Sequence, residues 1–391
     1  MPLSVGPAIA APSHTRRRLV ATGLVAVVIA GIVAIYVLEI EGRMADYEVY
    51  RRAAERAVDA APLYRPDDGH YQFKYLPAFA VVVVPLALVS DPVARASWFV
   101  LSVLLLVVLL RKTFTVLPER LHSRAYLIGI TFVLLGKFYV HEIELGQVNI
   151  AMTALVVLAV GQMRAGREVA AGLLIAFAIV LKPYVVLLLP WLVARRRLGS
   201  CAGAAIGLLM ALLLPAALYG FDGNVHLLGE WWRTVTETTA PNLADFNNVS
   251  AASVFFRWLG PGPVAQGLAV ALVCALLAVA VAVFFKRSGL PVPEPLEAGL
   301  LLTMMPIISP QGWDYVFLLS TVATMLLVNH RAQLPSAVRF VVTTALIVIA
   351  FSIFDLIGRT AYLQFMRLSI ITLCYLVVVG GLVVLRWRKT A

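Results

Sequence analysis

The chain has 391 residues, of which 61% are hydrophobic and 14% charged, and its net charge is +11. Soluble domains carry roughly 25% charged residues, so a chain this apolar would lack a polar surface in water. The composition therefore excludes an ordinary soluble domain, and the scattering of basic residues between apolar runs argues against a nucleic-acid partner.

Long apolar runs of Leu, Val and Ala recur along the whole sequence. A helix needs about 20 apolar residues to cross a bilayer, whereas a membrane barrel is built from short alternating strands. The runs predict an all-α polytopic membrane protein, a bundle of about 10–13 transmembrane helices in one domain over residues 1–391. The predicted spans are residues 19–38, 76–89, 96–110, 125–140, 148–162, 169–181, 184–194, 201–219, 264–285, 296–308, 315–328, 338–356 and 368–385.

Short clusters of Lys and Arg separate many of these spans. Because such clusters favour the cytoplasmic side, both termini of this multi-pass cell-membrane protein are predicted to be cytoplasmic. Four segments rich in Trp, Asn, Asp, Glu and His then lie on the extracytoplasmic side, where we expect the active site. They are residues 39–74, 141–149, 219–262 and 309–314.

One part of this topology is inconsistent. Asp46 outside and the basic segment 111–124 inside require an odd number of crossings, yet two predicted spans separate them, 76–89 and 96–110. Either one of these spans is re-entrant, or the basic segment departs from the positive-inside tendency. The sequence leaves both alternatives open.

Asp46 is the residue with the strongest catalytic potential. It follows the first span and begins a predicted surface helix, residues 46–61, whose apolar stripe includes Tyr50 and which Pro62 ends. Burial at the membrane surface would raise the pKa of the Asp46 carboxyl and suit it to act as a general base on an acceptor hydroxyl. The alternative is a topological boundary marker or a helix N-cap.

The segment between two central spans carries candidates for sugar or acceptor binding: His141, Glu142, Gln147 and Asn149. Tyr50 on the predicted surface helix is a further candidate for the same role. Polar groups at the mouth of two spans are costly unless they face water or a site. The amides of Gln147 and Asn149 can hydrogen-bond sugar hydroxyls. A solvated loop is the alternative.

Two later segments add further candidates of the same kind. Asn248 lies near the end of the long outer segment, and Trp313 and Asp314 follow Ser309-Pro310. The Trp313 ring can stack on a sugar or an isoprenoid, and Asp314 can hydrogen-bond a hydroxyl. The alternative for this pair is an interfacial tryptophan beside a helix-starting aspartate.

Three cations are candidates for binding a donor phosphate or lipid. Lys182 precedes Pro183, where a helix must break, and Arg257 can act as a fork donor. Lys74 lies in the segment that re-enters the apolar sequence. A lysine that extends its charged end to the membrane surface is the alternative for Lys182.

Nucleotide and metal sites have no sequence signature here. The chain contains no glycine-rich phosphate loop and no His/Cys cluster with metal-ligand spacing. A membrane enzyme acting on sugars would then take its donor from a lipid phosphate. No metal site or cofactor is predicted, although a divalent cation stays open.

The order of these motifs resembles the bacterial polyprenol-phosphate-mannose-dependent mannosyltransferases of glycosyltransferase family 87, within the multi-spanning GT-C class. The resemblance runs over nearly the whole chain. The motifs that carry it are Asp46-Tyr47 with Tyr50, Pro62-Leu63-Tyr64, Phe73-Lys74-Tyr75-Leu76-Pro77, Gly146-Gln147-Val148-Asn149, Ala171-Gly172-Leu173, Lys182-Pro183, Asn248 with Ser250 and Arg257, and Ser309-Pro310 with Trp313.

The resemblance implies a GT-C-type bundle and an inverting transfer of a hexose, most plausibly mannose, from a polyprenyl-phosphate donor. Its acceptor would be a hydroxyl of a glycolipid or cell-envelope glycan, reached among membrane lipids on the extracytoplasmic face. Asp46 matches the family's base. Mycobacterial members follow the late Trp-Asp with histidines, whereas Tyr315 and Val316 stand here, so the role of those histidines is not transferred.

Two other functions remain open at the level of the sequence. A transporter or flippase of a lipid-linked sugar would use the polar segments as gates, and it should place charged or broken helices near the membrane midplane. A non-catalytic partner of a cell-envelope complex is the third hypothesis. The gathering of polar residues on one face favours the enzyme.

Overall fold

The computed structural model describes residues 30–31, 33–286 and 292–388. The chain divides into two compact units, Met1–Met44 and Ala45–Ala391. In the first unit, the described residues are helical up to the π-helical turn Tyr36–Ile40, and Arg43 pairs with Glu39 at 3.2 Å. Most of the predicted span 19–38 lies outside the described residues. A single domain over the whole chain stays a prediction.

The second unit is built from helices. Its α-helices are α1 (Ala45–Val58), α2 (Pro77–Val82), α3 (Asp91–Val116), α4 (Arg124–Leu145), α5 (Asn149–Arg164), α6 (Glu168–Leu181), α7 (Leu188–Ala194), α8 (Leu198–Leu213), α9 (Ala216–Glu237), α10 (Ala251–Leu259), α11 (Pro263–Phe285), α12 (Glu294–Ile308), α13 (Thr321–Asn329), α14 (Ser336–Phe351), α15 (Phe354–Ile357), α16 (Arg359–Arg367) and α17 (Ile370–Arg388). Short 3₁₀-helices include Pro66–Tyr71, Val84–Leu86, Pro183–Leu187, Pro241–Ala244 and Asp314–Ser320. Within the described residues β pairing is limited to one isolated bridge, between Asn248 and Trp313, so the all-α prediction is confirmed.

Within the described residues, four helices are long and apolar enough to cross a membrane: α3, α4, α11 and α17. A fifth crossing is possible if α8 and the following helix, bent by 90° against it, count as one span. Much of α11 is exposed and apolar. Only 22% of its most apolar stretch is buried, as expected of a lipid-facing helix. The chain is therefore a multi-pass membrane protein. The number of 10–13 crossings stays a prediction, because it requires the shorter apolar helices to cross too.

The centre of the bundle is formed by α12 and by the segment from Asp314 to the end of α13. Nearly every residue of α12 is buried, and all of α13 is buried. A helix that is apolar on all sides and enclosed by others belongs to the core of a bundle. This central helix begins at Glu294 and ends at Ile308. These two residues therefore mark the two opposite ends of the bundle.

One end of the bundle is held together by ion pairs. Arg195 and Arg197, which follow α7, bind carboxylates at the starts of α6 and α12: Arg195 pairs with Glu297, and Arg197 pairs with Glu168 at 2.8 Å and with Glu294. The opposite ends of α6 and α12 lead into Lys182 and Ser309. The basic turns and the polar turns therefore lie at opposite ends of the same helices.

The second predicted span, 76–89, is not a crossing. It contains α2, a helix of six residues, followed by the 3₁₀-turn Val84–Leu86. At 1.5 Å per residue α2 is about 9 Å long, whereas the 26 residues of α3 extend about 39 Å. Between Asp46 and the end of the basic segment 111–124, α3 is thus the one helix long and apolar enough to cross a membrane, where the sequence predicted two spans.

Helices α6 and α8 pack closely through glycines. A Cβ atom on Gly172 would lie 2.0 Å from the carbonyl oxygen of Ser200, and one on Gly203 would lie 2.2 Å from that of Val169. Small residues let membrane helices approach to backbone contact, where van der Waals packing drives their association. This contact fixes α6, whose C-terminal end presents Lys182.

Candidate active site

A cavity of about 460 Å³ lies at the end of the bundle away from the ion-paired arginines. Its walls come from five separate parts of the chain: residues 46–75, 145–147, 182–184, 231–247 and 309–316. This volume is typical of a pocket for a small molecule. The polar segments that the sequence singled out, together with the helix break at Lys182, therefore meet in one cavity.

Asp46 lies in the first turn of α1 and lines this cavity, half-buried. A carboxylate is favoured there because the helix dipole places positive partial charge at the N-terminus. Burial raises the pKa of Asp46 above its ordinary value, and the positive charge of Lys182 opposes the rise. The side chain of Gln147, a hydrogen-bond donor to Asp46, lowers the same pKa.

Lys74 and Lys182 supply positive charge to the cavity. Lys182 follows the last residue of α6, where Pro183 prevents the helix from continuing. Its ammonium donates a hydrogen bond to the hydroxyl of Tyr75 at 3.0 Å. Burial lowers the pKa of Lys74, while the charge of Asp46 raises it.

Behind Asp46 lies a cluster of buried hydroxyls. The hydroxyl oxygens of Tyr50 and Tyr75 are 2.7 Å apart, and the Tyr50 hydroxyl donates to Oε1 of Gln147 at 2.9 Å. The Tyr50 ring contacts the rings of Phe79 and Trp98, with centroids 5.0 and 5.6 Å away. These contacts bury Tyr50 completely, one turn after Asp46, so this predicted sugar- or acceptor-binding residue does not line the cavity.

The turn that presents Gln147 depends on Gly146. Gly146 ends α4 with φ +70°, a left-handed conformation that costs glycine little because it has no Cβ. Its carbonyl accepts a hydrogen bond from the indole of Trp98 at 2.7 Å. The Gly-Gln sequence therefore places an amide at the cavity wall at a defined angle.

Glu142 and Asn149 do not line the cavity. Both are fully buried, and Glu142 accepts hydrogen bonds from the main-chain NH groups of Asn149 and Ile150 and from Nδ2 of Asn149 at 2.9 Å. The Asn149 side-chain oxygen in turn accepts from Tyr184 at 2.9 Å. The carboxylate of Glu142 thus satisfies the free NH groups at the start of α5.

Asn248 and Arg257 are also turned away from the cavity. Nδ2 of Asn248 donates to the carbonyls of Asn242 and Pro310, at 3.0 and 2.9 Å. Arg257 donates to the carbonyls of Asp245 and Asn248 at 3.0 and 2.6 Å. Burial lowers the pKa of Arg257. Asn248 thus holds the residues after α9 against Pro310, which follows α12, and Arg257 joins those residues to α10.

The late segment is divided between the cavity and its surroundings. Trp313 lines the cavity, and its main chain is bridged to Asn248. Asp314 lies beside it, outside the lining, and accepts a hydrogen bond from Tyr362 at 3.4 Å. The ring of His141 lies 5.2 Å from the ring of Tyr315 and is exposed, also outside the lining.

The sequence interpretation missed Tyr75 as a site residue. It also gave no role to Tyr184, Trp231 or His70, all of which line the cavity. The available signal was a tyrosine directly after Lys74, at the point where the chain re-enters the bundle. A buried tyrosine hydroxyl needs a hydrogen-bond partner, so its position predicts a polar neighbour.

The family comparison matches more than half of the chain: residues 73–310 match the model of glycosyltransferase family 87. The chain belongs to glycosyltransferase family 87. It is therefore a membrane glycosyltransferase, which confirms the resemblance carried by the ordered motifs. A comparison with curated proteins finds no match.

The range matched by family 87 includes three of the cavity residues with predicted roles: Lys74, Gln147 and Lys182. Asp46 precedes the range and Trp313 follows it. Membership of family 87 establishes the class of enzyme. The role of Asp46 depends instead on its position in the cavity.

Proposed function

We propose that this protein transfers a hexose from a polyprenyl-phosphate donor to a hydroxyl of a glycolipid or cell-envelope glycan, with Asp46 as general base. The observation that carries the proposal is the meeting of a carboxylate and two ammonium groups in one cavity of a family 87 glycosyltransferase. Asp46, Lys74 and Lys182 all line it. Mannose is the sugar that the motif resemblance favours.

The residues divide the reaction between them. Asp46 removes the proton of the acceptor hydroxyl as its oxygen attacks the anomeric carbon. The bond from that carbon to the phosphate oxygen breaks, and the phosphate leaves with the electron pair, inverting the configuration. Lys182 and Lys74 stabilise the leaving phosphate, because fixed positive charge beside developing negative charge lowers the barrier. Trp313 offers a ring on which the sugar stacks.

The orientation in the membrane follows from the two ends of the bundle. Arg195 and Arg197 lie at the end opposite the cavity, as do Arg164, the last residue of α5, and Arg167 just after it. Basic turns favour the cytoplasm. We therefore assign the cavity to the extracytoplasmic side of the cell membrane and both termini to the cytoplasm.

Asp46→Asn in the purified protein tests the proposal. Wild-type protein should transfer sugar from a polyprenyl-phosphate donor to a glycolipid acceptor, and the variant should lose at least about 100-fold in kcat. Asp59→Asn, an exposed aspartate just after α1, is the matched control and should keep wild-type activity. Transfer by Asp46→Asn at the wild-type rate would remove Asp46 as the base.

The transporter hypothesis is tested by the same preparation. A flippase would move the lipid-linked sugar across vesicle membranes without transferring it to an acceptor. Such a result for the wild type would replace the glycosyl transfer proposed here. The meeting of the polar turns at one end of the bundle, rather than along its length, supports transfer.

A further inference from the structure

Two buried tyrosines, Tyr75 and Tyr50, connect the ammonium of Lys182 to the side-chain amide of Gln147. We propose that Tyr75 is a positioning residue, which with Tyr50 holds the Gln147 amide in the orientation that presents its NH₂ group to Asp46. The inference rests on the proposed role of Asp46 as base. Tyr75 does not itself contact the reacting atoms. It acts on the protonation of Asp46, which does contact them.

The direction of the hydrogen bonds follows from the donors available. The ammonium of Lys182 can only donate, so the Tyr75 oxygen accepts from it at 3.0 Å. The Tyr75 proton is then free for Tyr50, whose oxygen is 2.7 Å away, or for Oε1 of Gln147 at 3.3 Å. In either case the protons of the chain run away from Lys182.

The chain of hydrogen bonds that starts at Lys182 ends on one atom, Oε1 of Gln147. It accepts from the Tyr50 hydroxyl at 2.9 Å and from the main-chain NH of Val148 at 3.2 Å, besides the contact with Tyr75. When these donors hold the amide oxygen, the NH₂ group of Gln147 must point away from the tyrosines. Gln147 and Asp46 both line the cavity, and hydrogen bonding from the Gln147 side chain lowers the pKa of Asp46.

The packing makes this arrangement stiff. Tyr50 is completely buried and Tyr75 nearly so. Their rings meet edge to face at 5.1 Å, and the ring of Phe79 lies 5.0 Å from each. Rings locked on several sides cannot turn their hydroxyls to other partners. The hydrogen-bonded chain from Lys182 through Tyr75 and Tyr50 to Gln147, called the relay below, is therefore in place before any substrate binds.

Removal of the Tyr75 hydroxyl should change the pKa of Asp46 in one direction. Without it, Lys182 loses its partner and Oε1 of Gln147 loses one of its donors, so the amide can turn its oxygen towards Asp46. The turned amide withdraws its NH₂ group from the ionised carboxylate, so the pKa of Asp46 rises. The charged and titratable groups that face Asp46 and must be kept constant are Lys74, Lys182, His70, His141, Tyr50, Tyr75 and Tyr315.

Tyr75→Phe is the test, and Tyr139→Phe is its matched control. Tyr139 is equally buried and its hydroxyl pairs with Thr321 at 2.7 Å, apart from the cavity. Tyr75→Phe should lower kcat about tenfold with donor KM changed less than about threefold, and it should shift the acid limb of the kcat profile to higher pH. In a Gln147→Leu background the same substitution should lower kcat less than about twofold, because the relay then has no endpoint.

A second measurement does not depend on turnover. A hydrophobic carbodiimide reacts with protonated carboxyl groups, so labelling of Asp46 against pH, followed by mass spectrometry, reports its protonation. Tyr75→Phe and Tyr50→Phe should each move the labelling midpoint upward by about half a pH unit or more, and Tyr139→Phe should not. An unchanged midpoint in both variants, or an equal shift in the control, overturns the relay.

The two proposals fail in different ways. Wild-type protein that transfers no sugar contradicts the proposed function, while the labelling experiment still decides the relay. Active wild-type protein with unaltered Tyr75→Phe kinetics and labelling contradicts the relay alone.

Discussion

Lys182 and Tyr75 are separated by 107 residues in sequence, yet the Lys182 ammonium donates a hydrogen bond to the Tyr75 hydroxyl at 3.0 Å. One residue follows the last turn of α6 and the other precedes α2. Their contact brings the end of α6 and the turn before α2 to the same wall of the cavity. A phosphate bound by Lys182 and the carboxylate of Asp46 would then share one hydrogen-bonded system.

The activity of the wild-type enzyme should depend on pH through Asp46. Burial raises the pKa of this carboxyl, so kcat should fall with decreasing pH at a midpoint above about 4, the value of an unperturbed aspartate. The base is active when ionised, so the loss occurs on the acid side. Lys182→Gln should move the midpoint further upward, because it removes a positive charge that stabilises the carboxylate. A midpoint at or below the ordinary value would contradict the buried base.

Lys182 and Arg257 should respond differently to the loss of their charges. Lys182 lines the cavity, whereas Arg257 is bound to the main-chain carbonyls of Asp245 and Asn248. Lys182→Gln should raise donor KM or lower kcat about tenfold or more and leave thermal stability nearly unchanged. Arg257→Gln should instead lower the free energy of unfolding by about 1–3 kcal/mol, because it leaves buried carbonyls unpaired.

Kinetics and thermal unfolding of the two variants in the same detergent measure this difference. If Arg257→Gln instead raised donor KM and kept its stability, while Lys182→Gln was mainly destabilised, Arg257 would lie at the phosphate as the sequence suggested.

Glu142→Gln should destabilise the fold without a specific effect on substrate binding. The Glu142 carboxylate accepts from two main-chain NH groups at the start of α5 and from the side chain of Asn149. An amide in its place brings an NH₂ group against those donors, with a cost of about 1–3 kcal/mol. Thermal unfolding measures the cost. A stable variant with a raised acceptor KM would show instead that Glu142 binds the acceptor.

Gly203→Val should separate α6 from α8. Its side chain would meet the main chain of Val169, since a Cβ atom there already lies 2.2 Å from that carbonyl oxygen. Gly267→Val on α11 is the control, because a Cβ atom on Gly267 has no neighbour within 4 Å. We expect lower folded yield and a lower unfolding temperature for Gly203→Val only. Equal behaviour of the two variants would contradict the close packing of α6 against α8.

Much of the candidate site could be predicted because polar residues in an apolar chain are conspicuous. Asp46, Lys74, Gln147, Lys182 and Trp313 were all singled out in the sequence, and all line the cavity. A polar side chain near a membrane helix is costly, so each one must have a partner or face a site. Sequence alone could not say which of the two applied.

Residues bound within the fold show where that reasoning ends. Glu142, Asn149, Asn248 and Arg257 have the same polarity as the cavity residues, but their hydrogen bonds go to main-chain groups, to each other and to other side chains of the fold. The free NH groups at the start of α5 and the carbonyls of Asp245 and Asn248 become their partners only after the helices have packed. No residue pattern distinguishes this use from substrate binding.

The sequence by itself determined that this is a helical membrane protein with its polar turns set apart from its basic turns. Both properties depend on local composition: apolar runs long enough for lipid, and the positions of Lys and Arg between them. Tertiary structure alone decided that residues 76–89 form a short helix and a 3₁₀-turn and that Tyr75 joins Lys182 to Gln147. A hydrogen bond is made by whichever groups the packed helices bring within about 3 Å, and separation along the chain does not limit that distance.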